Sequence, residues 1–235
     1  MFFLKKINWW VSNWKNSKEF RRKLFAVVLG FGIAGLIWGG SLYKDAAHSK
    51  DAFIYPIHWL GVLSLAIFGG LSFGYAFFKD NKKKILLLIL LGIPAWILAF
   101  LVPVIFTEWL WTASGAIFPI FWVIGYPFKI DIVDFLIIEP SLQVGTLWLE
   151  FFFTFLLIGI FYSLFFKKSS KLNKLKLIFI PPIWVAIFAI ISPIIGNLIG
   201  VYLFHSLLLG YLLTFFLISI SFALSLFREI EYERF

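Results

Sequence analysis

Apolar and polar positions alternate along this chain in long blocks, without the short periods of a soluble amphipathic fold. Apolar runs fall at about Leu24–Tyr43, Pro56–Phe78, Ile85–Phe106, Thr146–Phe166, Leu177–Val201 and His205–Phe227. Each is long enough to cross a bilayer as a helix. Short polar connectors lie between them, and Pro94, Pro103, Pro181, Pro182 and Pro193 predict kinks inside two of the runs. Ahead of the first run, Ile7, Trp10, Val11 and Trp14 follow i, i+3, i+4, i+7 spacing among Asn, Ser and Lys. That spacing predicts an amphipathic helix lying at the membrane interface. The start MFFL is broken by Lys5 and Lys6 with no small-residue cleavage site after it, so it does not read as a cleavable signal peptide.

One stretch breaks the pattern. Val102–Glu150 is too apolar for an ordinary loop, yet Pro119, Gly125, Pro127 and Pro140 interrupt it too often for one spanning helix. Irregular backbone at membrane depth must be covered by protein or line a water-filled cavity. The stretch therefore predicts an outward-facing re-entrant segment, with a short non-crossing helix inside Ser114–Tyr126. The chain reads as an all-α integral membrane protein with six transmembrane helices. It divides into an interfacial helix (1–23), a six-span membrane domain (24–227) and a tail (228–235).

Composition sharpens this picture. Of 235 residues, 62% are hydrophobic and only 14% charged, with mean hydropathy +0.96, which excludes an ordinary soluble domain. A net charge of +9 is compatible with nucleic acid, but its distribution argues otherwise. Of the 21 basic residues, 18 fall on residues 1–23, the connectors after spans two and four, and the tail, all on one side of a six-span chain. Loops rich in Lys and Arg stay cytoplasmic. The charge thus predicts a multi-pass protein of the cell (cytoplasmic) membrane with both termini cytoplasmic. Cysteine is absent, which removes disulfides and thiolate chemistry together.

Glycine pairs recur at GxxxG spacing: Gly35 and Gly39, Gly70 and Gly74, Gly196 and Gly200. Such pairs let helix backbones approach closely in lipid, where burying apolar side chains gains little. They predict a tight bundle, or association with other membrane subunits or a second copy. Polar groups at membrane depth are few, and such groups usually face the bundle interior. Glu150, about one turn into an otherwise apolar span, is the sharpest candidate for ion or proton coupling, with Asn197, His205 and Glu108 as expected partners in that order. His58 lies at the same outer level. The three histidines are widely spaced and predict no metal site, and no motif implies a cofactor.

The segment Thr112-Ala113-Ser114-Gly115-Ala116, together with His58 ahead of Gly69-Gly70, resembles patches of the rhomboid intramembrane proteases. That resemblance implies a serine hydrolase with Ser114 as nucleophile and His205 as general base. The chain departs from the family pattern in three ways. Two spans intervene between those of Ser114 and His205, no glycine follows His205 closely, and Val62 stands where the family carries asparagine. The main reading is therefore transport or channel work, or a non-catalytic subunit of a membrane complex; the hydrolase is the alternative.

Overall fold

The computed structural model describes residues 2–48, 59–106, 148–165 and 171–232. Among these residues every element is helical. They are α1 (Phe2–Asn16), α2 (Lys18–His48), α3 (Trp59–Ser64), α4 (Gly70–Phe78), α5 (Lys82–Ile105), α6 (Trp148–Phe165), α7 (Lys171–Gly196) and α8 (Leu207–Tyr232). Two π-helical segments join them, Leu65–Gly69 between α3 and α4, and Asn197–Leu203 after α7. The re-entrant stretch, with Ser114 and Glu108, lies outside the described residues, as does His58.

Polar caps set several helix starts. The Ser17 hydroxyl accepts from Phe20 N at 3.1 Å, Asn81 Oδ1 from Lys84 N at 3.0 Å, and the Ser206 hydroxyl from Leu209 N at 3.2 Å. Each supplies an acceptor to an otherwise orphan N–H in a first turn. The helix boundaries differ from the apolar runs where polar residues extend them. α2 spans Lys18–His48, well beyond Leu24–Tyr43, and α8 continues through Tyr232 into the stretch read as a tail.

Among the described residues five helices are long and apolar enough to cross a membrane: Lys18–Lys44, Leu60–Phe78, Lys82–Pro103, Lys174–Leu203 and Leu207–Glu231. A shorter apolar helix, Trp148–Leu164, accompanies them. Together they form a closed ring in which α2 packs on α3 and α4, α4 on α5, α5 on α6, α6 on α7, α7 on α8, and α8 back on α2. Neighbours run antiparallel. Gly35 and Gly39 of α2 meet Phe215 and Tyr211 of α8 in reversed order, and Trp96 and Gly92 of α5 do the same with Phe155 and Phe161 of α6. Residues 106 and 148 therefore stand at the same end of the ring. We call that end distal. The other end, where α2 begins and α8 finishes, is basal.

The glycine pairs sit on these seams. A Cβ on Gly35 would stand 2.6 Å from Phe215 O, and one on Gly74 2.8 Å from the Ile85 side chain. Gly196 and Gly200 both lie against Gly210 of α8. Hydroxyls bridge helices as well, Ser64 of α3 donating to Ala34 O of α2 at 3.1 Å and Thr214 of α8 to Ser192 O of α7 at 3.4 Å. Pro181 and Pro182 lack the N–H groups that would bond the carbonyls of Leu177 and Ile178. Those carbonyls abut Gly159 of α6, where a Cβ would come within 3.0 Å of Ile178 O.

Aromatic rings pack along the centre of the ring over its described length. Distally, Trp38 lies 5.4 Å from Phe100, 5.7 Å from Phe151 and 4.6 Å from Phe215. Below them Phe155 contacts Trp96 and Phe222, and Phe31 contacts Phe73 and Phe222. At the base Phe227 meets Phe20, Phe77 and Trp10, so α1 folds back onto the end of α8. Offset and edge-on ring pairs of this kind hold helices together by geometry even where lipid removes the hydrophobic drive.

Candidate functional site

Two places in the described ring concentrate polar chemistry. At the base, Glu229 and Glu231 are almost fully buried although they belong to the last turn of α8. Lys23 Nζ reaches Glu231 Oε1 at 2.9 Å and Glu19 Oε1 at 3.0 Å, and Arg228 pairs with Glu229 at 2.7 Å. Buried carboxylates are tolerated because bases meet them. This cluster ties the start of α2 to the end of α8.

The distal end carries Glu150. It occupies the first turn of α6, where a carboxylate would complement the positive end of the helix dipole. The side chain is buried at 7% exposure, and its Oε2 has no hydrogen-bond partner among the described residues. Its neighbour Phe151 packs on Trp38, whose indole N–H is likewise buried without an acceptor there. An orphan carboxylate oxygen and an orphan indole donor thus share the distal aromatic layer. Leaving either unmet is costly in a low-dielectric interior.

The expected partners of Glu150 separate on inspection. Phe161 touches the Gly92 flank of α5, and Glu150, eleven residues earlier, falls about three turns away on the same face. Gly159 marks the opposite flank, against α7. Since Gly159 is level with Ile178, Glu150 is level with residues near Ala186, and Asn197 lies about 16 Å further along. Asn197 instead sits in the α7–α8 seam, fully buried, with Oδ1 beside Gly210. Glu108, the third expected partner, is outside the described residues.

His205 has a different position again. Its φ is 49°, the left-handed region, and its side chain is exposed at the tip between Leu203 and Leu207. Ser206 N bonds back to Gly200 O at 2.7 Å, closing the turn over His205. Helices commonly end on such a left-handed residue, and glycine is its usual occupant. His205 therefore serves the α7–α8 hairpin. Sequence reasoning missed the basal cluster, because Glu229 and Glu231 read as tail charges. Its one signal was the placing of basic Lys23 and Arg228 at the same end.

Among the described residues no group of three or more His, Asp or Glu stands close enough to hold a metal ion. No family model matches the chain, and searches of curated proteins and of solved structures return no match. The class rests on the helices themselves: their length and apolarity are those of a membrane protein, and their number fits a polytopic one.

Proposed function

We propose that the chain is a six-span protein of the cell membrane. In this reading the shorter helix Trp148–Leu164 completes the crossings, both termini are cytoplasmic and α1 lies at the inner interface. Val11 and Trp14, exposed beside the bundle-facing Trp9 and Trp10, give α1 an apolar face for lipid. The protein acts in transport or as a non-catalytic subunit of a membrane complex, working with other subunits or a second copy. It does so through a binding or coupling site at Glu150.

One observation carries this reading: a buried carboxylate oxygen lacking a described partner, at the distal end of a ring with aromatic side chains packed along its centre. A carboxylate at membrane depth with no use for its charge would be easier to insert as glutamine. An aromatic column runs from Trp38 to Phe227 along the axis, and in this reading a ligand or ion reaches Glu150 from the distal side. The hydrolase alternative asks His205 to act as a base, whereas its backbone and exposure suit a turn.

A hydrophobic carbodiimide applied to native membranes tests the site. Mass-spectrometric mapping is expected to find the adduct on Glu150, and Glu150→Gln is expected to fold normally while losing it. The same variant should alter ion or solute uptake in proteoliposomes, or change which chains co-purify in mild detergent. If Glu150 stays unlabelled and the variant changes neither uptake nor co-purification, the coupling reading fails and the chain is a structural subunit.

A further inference from the structure

The basic residues at the basal end divide by what they touch. Lys23 is paired with Glu19 and Glu231, Arg228 with Glu229, and Arg21 donates to the carbonyls of Trp14 and Lys15. Arg22 differs. It is exposed, its guanidinium lies 5.9 Å from the centre of the Tyr75 ring, and no carboxylate meets it among the described residues. A guanidinium resting on an aromatic face keeps its planar fork of donors free for an oxyanion.

Arg22 stands at the basal mouth of an outward-facing furrow. On α2, Phe25, Leu29 and Ile33 follow it at helical spacing, all exposed. On the adjoining element, Ile67, Leu71 and Tyr75 form a second exposed row leading to the same mouth. The two rows flank a narrow seam, since a Cβ on Gly30 would stand 2.7 Å from Phe68 O. Helix α1 leaves the furrow open. It docks through Trp9 and Trp10 on Phe20, which lies about 200° around α2 from Arg22. The basal end around the mouth also carries Lys18, Lys79, Lys82, Lys83 and Lys84 against Glu19 and Asp80, and Glu19 is already bound to Lys23.

We infer that this furrow is a binding site for one anionic phospholipid of the inner leaflet. The phosphate is held by Arg22, and the acyl chains lie along Phe25, Leu29 and Ile33 on one side and Leu71 and Ile67 on the other. Charge complementarity selects the headgroup, and the two apolar rows select a lipid over a soluble anion. Basic pockets between helices on the cytoplasmic side are suited to such headgroups. The inference uses the cytoplasmic placement of the basal end and is independent of any role for Glu150.

Native mass spectrometry of the purified full chain in neutral detergent tests it, with phosphatidylglycerol, phosphatidylcholine of the same chain length, and glycerol 3-phosphate as probes. The expected result is selective retention of phosphatidylglycerol, weakened about five-fold by Arg22→Gln. Tyr75→Leu keeps every charge but removes the ring that positions the guanidinium, and is expected to weaken retention as well. It also stands in should Arg22→Gln fail to fold. Lys174→Gln, at the base of α7, is expected to change nothing. Equal retention of the two lipids would overturn the site, as would undiminished binding in both furrow variants. Displacement by glycerol 3-phosphate as effective as by phosphatidylglycerol would overturn the lipid assignment.

Discussion

Gly39 and Gly40 are adjacent on α2, yet an added methyl group should have opposite effects at the two positions. A Cβ on Gly39 would stand 2.6 Å from Tyr211 O and 3.1 Å from Leu212 Cα, both backbone atoms of α8. A comfortable contact needs about 3.5 Å. The backbone cannot rotate away as a side chain could, so Gly39→Ala must part α2 and α8 by about 0.9 Å locally. A gap of that size forfeits about a quarter to a half of each dispersion contact along the seam, and overpacking of this kind costs about 1–3 kcal/mol. The seam is also the one that closes the ring. On Gly40 the same methyl group would meet only Leu212 Cδ2, at 3.6 Å. There the gain is conformational, because alanine is about 0.5–1 kcal/mol better than glycine inside a helix. Equilibrium unfolding in mixed micelles, titrated with SDS and read by tryptophan fluorescence, places both variants on one free-energy scale. Gly39→Ala is expected below the unsubstituted protein and Gly40→Ala level with it or above. If the two variants unfold together, the close approach of α2 and α8 at Gly39 is wrong.

Three further outcomes are expected. His205→Gly should raise stability by about 1 kcal/mol by relieving the left-handed backbone, and His205→Val should lower it, in the same titration; a stable valine variant would contradict the turn geometry. Lys23→Met should cost about 3 kcal/mol by leaving buried Glu231 without its lysine, while Lys23→Met with Glu231→Met should recover much of the loss. A double variant no better than the single would show that the pair does not act as a unit. For the six-span arrangement, single cysteines at Asn81 and Ser206 should label from opposite faces of intact cells, Ser206→Cys from outside; labelling of both from one face would break the alternation of spans.

Much of the helical content was legible in the sequence for a simple reason. Without water, a backbone crossing lipid must satisfy its own hydrogen bonds, so a long apolar run is a helix whatever surrounds it. Ser17, Asn81 and Ser206 mark starts for an equally local reason, since a cap acts within its own first turn. The glycine pairs, too, announced close contacts before any partner was visible. What they could not say was which helix each would meet. A helix that is apolar around most of its surface carries little record of its inward face, and α6 shows this: Phe153 and Ile160 point outward while Phe155 and Ile158 are fully buried. Only the closing of the ring decided that Gly35 and Gly39 face α8 while Gly70 and Gly74 face α5. The same closing put Glu150 on the α5 side of its helix and Asn197 some turns further along, between α7 and α8. It also buried Glu229 and Glu231, charges that read as a cytoplasmic tail, and set Glu231 beside Lys23. Helix content followed from local chemistry; the pairing of faces depended on contacts between residues more than two hundred positions apart, such as Lys23 and Glu231, for which the linear order carries no physical signal.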